Sequence, residues 1–172
     1  HVVYKNASEQ LSAARLQEQL QVLNEDYRTL NSDAGLVAAT WQPLVADCEI
    51  NFCLALQDPQ GAPTTGITYT PTAVTVFSLG NEVKFTAQGG HDIWDATRYL
   101  NIWICDLSGF TLGYAQFPGG NASTDGVVLD FAYTGITGAL TPYNKGRSGT
   151  HEIAHWLNLE HIWGNDGTSC AG

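Results

Sequence analysis

The chain has 172 residues, 44% of them hydrophobic and including five Trp, seven Tyr and six Phe, enough to bury the core of a single domain. Seventeen acidic against seven basic residues give a net charge of −10, which argues against nucleic acid and anionic membranes as partners. No apolar run approaches the ~20 residues of a membrane span and no signal peptide is present, so a mature, processed form of a secreted protein is expected.

In chain order the elements alternate as in an α/β domain. Val2 to Lys5 reads as the remainder of a strand that has lost its start. A helix is predicted from about Ser8, as N-cap, to Leu30, with Leu16, Leu20, Leu23, Tyr27 and Leu30 spaced four and three apart on one face for core packing. Strands are predicted over Ile50 to Gln57, Val74 to Phe77, Leu100 to Cys105, Leu112 to Gln116 and Val127 to Phe131, separated by Gly, Pro and Asn signals. Gly61 to Gly66 and Gly80 to Gly90 read as loops, and a second long helix begins near Ser148 or Gly149. No internal repeat is present.

The four cysteines, Cys48, Cys53, Cys105 and Cys170, form no CxxC metal site. In an extended strand Cys48 and Cys53 would stand about 16 Å apart, too far for a disulfide. Cys53 and Cys105 read as small buried thiols, whereas Cys170 lies in a polar stretch without an obvious partner.

The chemistry concentrates in the second helix, in residues 151–161, HEIAHWLNLEH. On a helix, positions i and i+4 differ by only about 40° and rise about 6 Å, so His151 and His155 can aim imidazoles at one ion. Glu152 sits about 100° around the axis, which suits a carboxylate that contacts the attacking water rather than the metal. His161 can become the third ligand only if the helix stops, because a continued helix would carry it about 240° from His155. Asn158 is the expected break, since Asn tolerates the left-handed conformation that ends helices. Ser148 and Thr150 have no base arranged for them and read as residues of the helix start.

This string resembles the metzincin zinc signature HExxHxxGxxH, with Asn158 in place of Gly. Segments 99–105 (YLNIWIC), 112–118 (LGYAQFP), 125–129 (DGVVL) and 146–151 (GRSGTH), followed by HWLNL at 155–159, extend the resemblance to the pappalysin branch of that family, the cytophagalysin and ulilysin type. So do Phe52-Cys-Leu-Ala55, Asp58-Pro59 and Gly66-Ile67.

The resemblance implies a metzincin upper subdomain: an α/β (α+β) fold with a twisted five-stranded mixed sheet, two long helices and the zinc motif on the second. It implies a zinc endopeptidase, with His151, His155 and His161 as metal ligands and Glu152 as general base. It also implies a substrate-binding edge strand over Gly113, Tyr114 and Ala115, which would hydrogen-bond an extended peptide above the zinc. The chain has no Met and ends eleven residues after His161. It is therefore expected to be one catalytic domain whose lower subdomain, with the Met-containing turn, lies in a missing C-terminal segment of the same protein. Calcium and a disulfide partner for Cys170 are implied only by the resemblance, with no ligand in this chain to name. A non-catalytic zinc-binding module is the alternative, against which Glu152 speaks, since a structural site would not need it. A zinc hydrolase of non-peptide substrates is a third reading.

Overall fold

A computed structural model describes residues 1–161. Five strands form one mixed sheet: β1 (Val2–Tyr4), β2 (Tyr69–Pro71), β3 (Ile102–Cys105), β4 (Gly113–Ala115) and β5 (Val127–Asp130). Their spatial order is β2-β1-β3-β5-β4; all neighbours run parallel except β4, which is antiparallel to β5 at one edge. Two helices, α1 (Ala13–Tyr27) and α2 (Arg147–Trp156), complete the frame.

The period of two along each strand divides the core between the sheet's faces. Val2, Ile104, Val127 and Leu129 turn toward a cluster that also contains Leu16, Leu23 and Tyr27 of α1 and Ile153 of α2. Val3, Trp103, Cys105 and Val128 turn the other way, onto Phe77, Val83 and Leu107. Every residue of β5 is buried, as expected of a strand covered on both faces.

Polar bonds fix the helices to one another. The Tyr27 hydroxyl donates to the Thr150 carbonyl, the Thr150 hydroxyl donates to Asp26, and Arg147 pairs with Asp26 at 2.8 Å and Asp33 at 2.7 Å. Gly149 lies where a Cβ would stand 2.4 Å from the Gln19 amide nitrogen, and Gln19 in turn donates to the Gly146 carbonyl and accepts from the Gly135 N–H. The start of α2 is thereby held against the middle of α1.

Several expectations need correction. Helix α1 is capped by Ser12, whose hydroxyl accepts from the Arg15 N–H, rather than by Ser8, and it ends before Leu30, which is 71% exposed. Residues 50–57 make no strand: the Asn24 side-chain amide takes both the N–H and the C=O of Phe52, where a neighbouring strand would have been needed. Residues 74–77 form only an isolated bridge, Phe77 to Leu107. The strand beside β1 is instead Tyr69–Pro71, whose terminal Pro suits an edge. Cys105 is buried as expected, but Cys53, like Cys48, is an exposed free thiol; Cys170 lies outside the described residues.

Candidate active site

Helix α2 carries the expected constellation, and its ending determines whether the constellation closes. Asn158 has φ = 74°, the left-handed conformation predicted for it. The Asn158 N–H donates to the His155 carbonyl and the Leu159 N–H reaches back to the Ala154 carbonyl, both at 2.9 Å, which is the paired bonding of a Schellman cap. The chain reverses there and returns His161 to the face that carries His151 and His155.

The three Nε2 atoms converge, with separations of 3.0 Å (His155 to His151), 3.1 Å (His155 to His161) and 3.2 Å (His151 to His161). Ligand nitrogens about 2.0–2.1 Å from a tetrahedral ion stand roughly 3.4 Å apart, so this triangle fits such an ion with little adjustment. The donor chemistry agrees. His155 Nδ1 lies 2.7 Å from the Leu159 carbonyl, which can only accept, so the proton sits on Nδ1 and the Nε2 lone pair faces the other imidazoles. Although His151 is exposed, partial desolvation, followed by its two imidazole neighbours, shifts it below its usual range, toward the neutral form that can ligate a metal. The Phe117 ring stands 5.3 Å from that of His155. At the far end of α2 the Trp156 indole donates to Asp125 at 3.1 Å.

Glu152 is only 8% exposed, and burial pushes its carboxyl up to about 7. It lies under β4, where a Cβ on Gly113 would come within 2.8 Å of Glu152 Cγ. Thr150 is engaged with Asp26, in keeping with a structural role at the helix start.

The expected edge strand is where the sequence indicated. Hydrogen bonds from Gln116 to Gly126 and from Asp130 to Leu112 set the alternation, so Tyr114 faces Val128 across the bonded register. The N–H and C=O groups of Gly113 and Ala115 consequently point outward, away from β5. The Tyr114 side chain turns to the face opposite α2, packed against the Trp103 cluster. Two contributions escaped the sequence reading: the Leu159 carbonyl as orienter of His155, and the room that Gly113 leaves for Glu152. Neither has a side chain to signal it.

Residues 85–172 match the family model described as Pregnancy-associated plasma protein-A. Across its whole length the chain is similar to mature mirolysin of Tannerella forsythia, solved in complex with a cleaved peptide: 46% identity, TM-score 0.96, covering 66% of that chain. A structure of mirolysin in complex with compound 9 gives 47% identity and a TM-score of 0.95. Extracellular metalloprotease 1 of Coccidioides posadasii is 30% identical over 176 residues, 95% of this chain and 50% of that protein. The extracellular metalloprotease of Arthroderma benhamiae is 36% identical over 74 residues, 40% of this chain and 27% of that protein. The chain thus spans a quarter to a half of the length of these two curated relatives.

Proposed function

Because this chain belongs to the pregnancy-associated plasma protein-A, or pappalysin, family of metallopeptidases, we propose that it supplies the metal site and upper cleft wall of a secreted zinc endopeptidase. The observation that carries the reading is the convergence of the three Nε2 atoms beside a buried carboxylate on the same helix. His151, His155 and His161 would hold the ion. Zinc, when bound there, supplies Lewis acidity that brings the pKa of water down toward about 7 and polarises a peptide carbonyl.

Glu152 does the proton work. Its carboxylate takes a proton from the attacking water and passes it to the leaving amine, so no covalent intermediate is needed. Burial beneath β4 suits this exchange, because a carboxyl in a dry site accepts a proton near neutral pH more readily than an exposed one. A neighbouring dication would draw its pKa back down, holding it ionised until the proton arrives. The outward backbone groups of Gly113 and Ala115 offer an extended peptide a strand to pair with, which would align its scissile bond over the site. Extracellular action is supported by the names of the relatives.

Glu152→Ala in the longest natural form tests the reading. Zinc content should be retained, since the three imidazoles remain, while peptide hydrolysis falls by the 10²–10⁴-fold typical of a lost general base. Near-normal turnover would remove Glu152 from the mechanism, whereas a zinc-loaded wild type that hydrolyses no peptide would return the site to the non-catalytic alternative.

A further inference from the structure

We propose that the connection between β4 and β5 clamps the last turn of α2 in its metal-binding shape, with Asp125 as the positioning residue that grips it. The proposal rests on the reading that His151, His155 and His161 hold zinc. Helix α2 has ten residues, a length at which an isolated helix is marginal, so its ends take their shape from what they touch. Its start is bonded to α1 through Gln19, Arg147 and Thr150. Its last turn carries His155 and leads on to His161. There, among the described residues and apart from the contacts between the imidazoles, one side-chain hydrogen bond joins residues 153–160 to the rest of the chain: the Trp156 indole N–H donates to Asp125 at 3.1 Å.

The connection grips adjacent residues of that turn from its two roots. At the β4 end the Phe117 ring stands 5.3 Å from that of His155, and at the β5 end Asp125 takes the Trp156 N–H. Bonds across the connection keep the roots in place. The Gln116 side-chain amide donates to the Asn121 carbonyl at 3.0 Å and accepts from the Thr124 hydroxyl at 2.6 Å, while the Gln116 N–H donates to the Gly126 carbonyl. Asp125 itself is pinned on either side. The Lys84 ammonium donates to the Thr124 carbonyl at 2.6 Å, and Gly126 is packed so closely on the Asn101 carbonyl oxygen that no Cβ fits there. The Asp125 carboxylate is therefore an acceptor held in place independently of the helix, so little ordering is needed to make the bond.

The place of the grip matters for the metal. Trp156 lies one residue after His155 and two before Asn158, between the second ligand and the turn that returns the third. The same turn holds the Leu159 carbonyl against His155 Nδ1 at 2.7 Å. A last turn free to fray would move His161 and this carbonyl together. Groups that orient metal ligands are worth about 10–100-fold in metal affinity.

The test uses the longest natural form with zinc alone as the probe, its dissociation constant read by competition with a chromophoric chelator. Asp125→Ala and Trp156→Phe should each weaken zinc binding about tenfold, and the double variant should be no weaker than either, since both remove the same bond. Asp125→Asn keeps a neutral acceptor. A charge-assisted bond is about twice as strong as a neutral one, so this variant should recover half of the lost binding free energy and bind zinc only about threefold more weakly than wild type. Asp125→Asn and Trp156→Phe are conservative and should fold. A contact that merely stabilises the fold would lower the Tm of the metal-free protein in every variant and leave the zinc Kd unchanged. That outcome, losses that add in the double variant, or an Asp125→Asn as weak as Asp125→Ala, overturns the clamp while leaving the metal site and the peptidase reading intact. A wild type that binds no zinc overturns both.

Discussion

Gly113 and Glu152 are packed so closely that a Cβ on the glycine would stand 2.8 Å from Glu152 Cγ and 2.7 Å from the Val128 carbonyl oxygen. Strand β4 therefore presses onto α2 at Glu152, the proposed general base. Gly113→Ala should displace the Glu152 side chain, cutting kcat by roughly tenfold to a hundredfold, the scale of small misplacements at a reacting centre. Zinc content should stay at one equivalent, because the three histidines do not touch this contact. An unchanged kcat would show that the carboxylate does not depend on this contact for its position.

The turn at Asn158 makes a separate prediction. Asn158→Gly should be nearly neutral, since glycine adopts φ near +74° without cost. Asn158→Val should weaken zinc binding, because a β-branched residue resists that conformation and would shift His161. A metal titration of the two variants side by side reads the difference, and equal affinities would count against the turn as the device that delivers the third ligand.

Metal removal should register in stability as well as in activity. An ion bound by the folded state alone stabilises it by about 2.7 kcal/mol at a hundredfold excess over its Kd. For a chain of this size that corresponds to roughly 5–10 °C in Tm. Chelation should lower Tm by this amount and abolish hydrolysis, and zinc should restore both. A melting temperature indifferent to chelator would argue that the imidazoles hold no ion.

Lys84 gives a prediction in pH. Burial lowers its ammonium from the usual 10.5 to about 8. Below about pH 8 the group is charged in both folded and unfolded chains, and the fold bears the cost of the buried charge. Between about 8 and 10.5 the unfolded chain binds more protons, so this group's contribution to stability rises with pH. Thermal melts should therefore show wild type gaining on Lys84→Met between pH 8 and 10.5. A constant difference across that window would mean that Lys84 titrates as an ordinary surface lysine.

The chain's family and the grouping of its three histidines were legible from motif and spacing, and the edge position of β4 was what the family resemblance implied. His151, Glu152 and His155 relate to one another by helical geometry, which spacing reports directly, and Asn158 announced its own left-handed turn because only a few residue types tolerate one. Strands β3, β4 and β5 were likewise visible, being short apolar runs between turn signals. Residues 50–57 misled for the converse reason: alternation reports which face is buried, and Phe52 does face the core, but whether the backbone finds a strand or the Asn24 amide depends on a contact 28 residues away. The position of β2, the orientation of His155 by the Leu159 carbonyl, the fit of Gly113 over Glu152 and the meeting of Tyr114 with Lys84 all join groups through backbone atoms or across long stretches of chain. Spacing carries no record of such meetings. They are decided by packing, when the sheet closes over α2 and its two faces acquire different neighbours.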